Sequence, residues 1–178
     1  VGINLNPNNA CNWACVYCQV PNLIRGKGPA IDLDLLRREL TGLLDDVQQG
    51  AFSDGQSPAG AGRPRDLAFS GNGEPTSSPD FSAAVEVVAE VLSQRGLLGQ
   101  VPVVLITNGT LVERPAVQRA LERIADLEGG GVVQARHRDP GGLPPDPRRG
   151  QRPSSAAPSA EELRAALPDL DPDLPLRA

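Results

Sequence analysis

The sequence predicts an α/β fold: about three βα units around a parallel sheet, followed by a largely disordered tail rich in Pro, Gly and Arg. Three observations predict it. Short β-branched runs alternate with longer segments whose apolar residues recur at three- and four-residue steps, the order that βαβ units around a parallel sheet produce. Each short run ends in a polar turn, where a parallel sheet gathers its ligand-handling residues. After residue 128 both periods disappear.

The elements follow in order. "VGINL" at 1–5 alternates apolar side chains and reads as a first strand entering the polar loop "NPNNA". From Asp32 to Gln49, Leu33, Leu36, Leu40, Leu43, Leu44 and Val47 trace one helical stripe, with Asp32 and Asp34 at the end where the helix dipole favours acids. Residues 50–65 have turn-forming composition and no apolar period, so they read as a surface loop. "DLAFS" at 66–70 is a second strand, ending in "GNGEPTSSP". Ser78 reads as an N-cap and Pro79 as the first helical residue of a second helix, with Phe81, Val85, Val88, Val91 and Leu92 buried up to Gly96. "VPVVLITNG" at 101–109 is a third strand. A third helix, Pro115 to Leu127, buries Val117, Leu121, Ile124 and Leu127 before a stop at Gly129.

The expected division is a core domain over 1–128 and a low-complexity tail over 129–178. Residues 139–153 hold eight Pro or Gly, half the chain's 18 prolines fall in its last 50 residues, and only Glu161 to Leu167 suggests a short helix.

Composition narrows the chemistry. Net charge is −5 with no basic run, which gives no nucleic-acid footprint, although a substrate domain outside these residues could supply one. No apolar run approaches a membrane span and no leader precedes a cleavage site, so the expected setting is the cytoplasm. In that reducing setting the three cysteines, Cys11, Cys15 and Cys18 in "CNWACVYC", read as metal or redox groups rather than a disulfide framework. Three close thiolates can hold three irons of a four-iron cluster and leave one coordination position open, the feature that substrate chemistry requires. The competing reading is structural zinc. Zinc asks for four N or S ligands, and the sole histidine, His137, lies in the tail.

With "CNWACVYC" after the first strand, "GNGEPT" after the second and "ITNGT" after the third, residues 1–127 resemble the radical S-adenosylmethionine (SAM) enzymes. "SGNGEPTSSPDF" is similar in style to the iron–sulfur oxidoreductases that include the wyosine-base enzymes. The resemblance implies a [4Fe–4S] cluster on Cys11, Cys15 and Cys18, SAM bound at the open iron, and reductive cleavage of SAM to a 5′-deoxyadenosyl radical. It also implies an electron donor such as a flavodoxin or ferredoxin. Tyr17 would lie near the adenine, and Gly71, Asn72, Gly73 and Glu74 would receive the SAM amino group. Thr107 and Asn108 would face the ribose or the substrate. The turn reads Gly-Asn-Gly-Glu-Pro where the family has Gly-Gly-Glu-Pro. Trp13 is expected to pack beside the cluster.

The family's core usually has six βα units, so the resemblance implies a partial (β/α) radical SAM barrel of about three βα units, with half expected to be missing. A displaced reading frame near codons 126–133 would explain the change of composition. The absence of Met, with Val1 already in a strand, is also what an N-terminal truncation would leave. The readings left standing are a radical SAM enzyme or a fragment of one, a non-catalytic iron–sulfur or zinc module, and the inactive product of a damaged gene.

Overall fold

The computed structural model describes residues 1–15, 18–49, 64–128 and 132–135. Tyr17, most of the 50–65 loop, Gly129, His137 and the Glu161–Leu167 segment lie outside the described residues.

Strand β1 (Gly2–Ile3) leads into β2 (Ala10–Cys11) and β3 (Ile24–Arg25), then helix α1 (Leu33–Gln48). Strand β4 (Leu67–Phe69), a 3₁₀ turn (Pro75–Ser77), helix α2 (Phe81–Gln94), strand β5 (Val103–Thr107), helix α3 (Pro115–Glu128) and strand β6 (Val132–Ala135) follow. The main sheet runs β1-β4-β5-β6, and every neighbour is parallel. Sequential parallel order is what three successive βα units generate, so the predicted class holds.

β6 lies beyond the point where the sequence loses its strand period. Val104 pairs with Val132 and Thr107 with Ala135. Four residues are too few to display a period, but the two valines suit a pleated surface.

The core explains why the helices form where they do. Leu40, Leu44 and Val47 of α1, eight residues of α2 from Phe81 to Leu92, and Val117, Ala120, Leu121, Ile124 and Leu127 of α3 are buried with Leu67, Phe69, Val103 and Leu105 of the sheet. The rings of Phe69 and Phe81 meet edge-on at 5.7 Å, docking α2 on β4. On the other face of β5, Val104 and Ile106 are only half-buried. A cleft of ≈ 480 Å³ lies between β1 and α1, lined by Ile3, Leu5, Ile31, Leu36 and Leu40; the cysteines do not line it.

Two local expectations need correction. The sequence suggests Ser78 as the cap of α2 with Pro79 as its first residue, yet the helix starts at Phe81 after Asp80. The 3₁₀ turn at 75–77 takes up the proline-rich approach, and the Ser78 hydroxyl donates to the Pro29 carbonyl at 3.2 Å. The Ser78 oxygen still accepts from the Asp80 amide at 3.3 Å, which caps the turn just before the helix, while Asp80 itself makes no side-chain cap bond because its carboxylate accepts from the Ile31 amide at 2.8 Å and ties α2 to the entry of α1. The second correction concerns the segment after β1, read as plain loop. It contains the parallel β2–β3 ladder, with Cys11 opposite Arg25.

Candidate metal centre

The ladder defines the thiol loop. Ile24 donates to the Asn9 carbonyl and Gly26 to the Cys11 carbonyl, each at 3.0 Å, so residues 12–23 leave and return at one point. Asn9 and Asn22, one on each side of the loop, have positive φ of 55° and 53°, a conformation that asparagine tolerates better than most residues. Cys11 ends β2, and Cys15 and Cys18 share one turn in which the Cys18 amide donates to the Cys15 carbonyl at 3.1 Å. All three are half-buried thiols.

Cys11 faces the turn after β4. Burial pushes its thiol pKa above the usual range, with smaller upward contributions from the Glu74 carboxylate and Cys15. The backbone amides of Trp13 and Glu74 act the other way, by favouring its thiolate. The thiols are not drawn around a single ion: among the described residues no three His, Cys, Asp or Glu side chains form a group that could hold one metal ion. A four-iron cluster does not ask for that, since each thiolate binds a different iron. The residues therefore fit such a cluster in ligand type and in loop placement.

The turn after β4 comes close to β2 because Gly73 lacks a side chain, and close to the segment after β1 because Gly71 does. A Cβ on Gly71 would strike the Asn4 side chain, and one on Gly73 would strike the Ala10 carbonyl and Asn6. Asn72 donates through Nδ2 to Asn9 Oδ1 at 2.7 Å, joining this turn to the foot of the loop. Glu74 does not face the open edge. It is 2% exposed. Its Oε1 accepts from the Thr76 amide at 3.2 Å and from the Thr76 and Thr107 hydroxyls at 2.6 Å each, while Oε2 accepts from the Asn108 amide at 2.6 Å. Burial raises the Glu74 pKa, and those donors oppose the rise.

The turn after β5 is committed in a similar way. Thr107 is buried, donates to Glu74, and accepts from the Gly109 amide at 3.0 Å. The Asn108 side chain donates to Asn12 Oδ1 at 3.0 Å. Cys11, Gly71, Asn72, Gly73, Glu74, Thr107 and Asn108 are thus brought to one sheet edge, with Glu74 and Thr107 turned inward.

Sequence reasoning missed a set of amides. Asn6 Nδ2 donates to the Ala10 carbonyl at 2.9 Å and to Ser77 Oγ at 3.3 Å. Asn4 Oδ1 accepts from the Asn6 amide at 2.9 Å and from the Asn72 amide at 3.3 Å. The signal was available: all eight asparagines of the chain fall at 4, 6, 8, 9, 12, 22, 72 and 108, in the loops after the strands.

A family model for the radical SAM superfamily matches residues 5–135. No curated protein and no solved structure matches the chain.

Proposed function

The chain belongs to the radical SAM superfamily, and from that premise we propose that Cys11, Cys15 and Cys18 hold a [4Fe–4S] cluster whose remaining iron receives SAM. What carries the reading is the meeting of three loops at one sheet edge: the thiol loop after β2, the Gly71–Glu74 turn after β4, and the Thr107–Asn108 turn after β5. When bound, the cluster would supply the electron that cleaves SAM to a 5′-deoxyadenosyl radical.

The protein's own residues have narrower tasks. Cys11, Cys15 and Cys18 lose their protons on binding, so assembly releases protons. The amides of Trp13 and Glu74 are donors toward the Cys11 sulfur, and such bonds tune a cluster's potential. The Glu74 carboxylate is spent on Thr76, Thr107 and Asn108, which leaves main-chain carbonyls of the Gly71–Gly73 turn, with Asn72, as acceptors for the SAM ammonium. Tyr17 would flank the adenine. A small reductant such as a flavodoxin or ferredoxin supplies the electron, and a cytoplasmic setting suits the reduced thiols. Among the described residues no helix is long and apolar enough to cross a membrane.

Anaerobic reconstitution of the full chain with iron and sulfide tests the reading. The expected product is brown, holds roughly four irons per chain, changes its EPR spectrum on addition of SAM, and forms 5′-deoxyadenosine under reduction. A colourless, iron-free chain overturns the proposal.

A further inference from the structure

We propose that Asn12, Thr110 and Asn108 form a latch that clamps the Cys11 limb of the thiol loop to the end of β5, acting as positioning residues rather than as ligand contacts. The three side chains close a ring. Asn12 Nδ2 donates to Thr110 Oγ1 at 2.7 Å, Thr110 Oγ1 donates to Asn108 Oδ1 at 2.7 Å, and Asn108 Nδ2 donates back to Asn12 Oδ1 at 3.0 Å. A main-chain group sets the sense of the ring: the Thr110 amide donates to Asn108 Oδ1 at 3.1 Å, so that atom must be the oxygen. Once it is fixed, the Asn108 nitrogen faces Asn12, the Asn12 oxygen faces Asn108, and the Asn12 nitrogen faces Thr110. Every member donates one bond and accepts at least one, the arrangement in which hydrogen bonds reinforce each other.

The ring spans 98 residues of sequence and grips the loop at Asn12. Asn12 directly follows Cys11, whose sulfur lies 3.9 Å from Asn12 Oδ1. The same limb is held by the Gly26 amide on the Cys11 carbonyl and abuts Gly73 through the Ala10 carbonyl. The returning limb is tied separately, by Asn9 Nδ2 donating to the Pro21 carbonyl at 3.1 Å and by the Ile24 amide donating to the Asn9 carbonyl at 3.0 Å. The bonds of the ring therefore reach the loop at Asn12, beside Cys11. Asn108, whose oxygen is filled twice, is withdrawn from ligand contact while the ring is closed. The purpose assigned here, keeping one cluster thiol in register with the β5 turn, rests on the proposed function, while the ring itself does not.

Thr110→Val keeps the shape and the main-chain bond but removes the hydroxyl; Thr110→Ser restores it. The measurement is site-resolved alkylation of the three thiols in the full-length apoprotein, read by mass spectrometry. Thr110→Val removes one of the two bonds that tie Asn12 to the β5 turn, which raises the open population of the Cys11 limb about fivefold, and Asn12→Ala removes both, so Cys11 should react about fivefold faster in Thr110→Val and at least as much faster in Asn12→Ala, with Cys18 unchanged. Thr110→Ser should match the wild type. Equal acceleration at Cys11 and Cys18, or no change at Cys11 in either variant, overturns the latch. Iron uptake by the wild type is scored separately: its failure overturns the cluster reading, and the alkylation pattern still decides the ring.

Discussion

The Thr107 hydroxyl lies 2.6 Å from Oε1 of Glu74, and this bond joins the last residue of β5 to the turn after β4 inside a site closed to water. The carboxylate accepts four donors, two of them main-chain amides that cannot rotate away. An amide in its place has one oxygen. If that oxygen faces the Asn108 amide, its NH₂ faces the Thr76 amide, and the reverse placement is no better. Glu74→Gln should therefore cost about 2 kcal/mol or more, from a buried donor left unmet. A urea midpoint equal to that of the wild type, at the same slope, would show that the carboxylate is not the tie between the two turns.

Two glycines give opposite expectations. At Gly73 a methyl group would meet the Ala10 carbonyl, a main-chain atom with no rotamer to escape through, so Gly73→Ala should lose about 1–3 kcal/mol by overpacking. Gly42 sits inside α1 with nothing within 4 Å of a new Cβ, so Gly42→Ala should gain about 0.5–1 kcal/mol from helix propensity. The melting temperatures should rank Gly42→Ala above wild type and wild type above Gly73→Ala. A Gly73→Ala chain as stable as wild type contradicts the close approach of the two loops, and a Gly42→Ala chain below wild type contradicts the open space beside α1.

The helices were legible because each carries a long apolar stripe: Leu40, Leu44 and Val47 repeat at helical spacing, and the structure buries them. The three-loop edge was legible from order alone, since parallel strands deliver their following turns to one side. Other features depend on partners far away in the chain. The β2–β3 ladder is two residues long on each side and has no period of its own. The inward turn of Glu74 depends on Thr107 and Asn108, 33 and 34 residues away, and no local pattern marks it. The start of α2 was misplaced because Ser-Pro has the chemistry of a helix entry, while tertiary bonds to Pro29 and Ile31 delayed it to Phe81. The asparagine clustering was visible in the composition along the chain, but its meaning is geometric: short amides both donate and accept, so they can close networks between loops.

Asp45 of α1 and Arg95 after α2 give the pH dependence. Arg95 donates through Nε at 2.6 Å and Nη2 at 2.8 Å, and this pairing holds the Asp45 carboxyl below its usual value of 3.8. A carboxyl depressed in the folded state contributes stability that is present above its unfolded pKa and is lost as pH falls through the folded one. Asp45→Asn should therefore be less stable than wild type at pH 7, and the difference should shrink as pH falls below 3.8 and through the depressed folded value. The pair is partly exposed, so salt at about 0.5 M should shrink the difference as well. A gap between the two proteins that persists unchanged down the acid limb would assign the effect to packing instead.

The three thiols give the last prediction, and it separates a cluster from a looser metal-binding loop. In a four-iron cluster each cysteine serves its own iron, so no thiolate duplicates another and none can be spared. Cys11→Ser, Cys15→Ser and Cys18→Ser should each lower iron after anaerobic reconstitution from roughly four per chain to below about 0.5, with loss of the brown colour. The far-UV spectrum should stay that of wild type, since the thiol loop lies outside the Leu67, Phe69 and Phe81 core. A site that merely collects metal on any two thiolates would behave differently: single substitutions would retain a substantial part of the metal, and the three variants would differ in how much. Retention of half the iron or more by any one variant, with the chain folded, would remove that cysteine from the ligand set and with it the three-thiolate site.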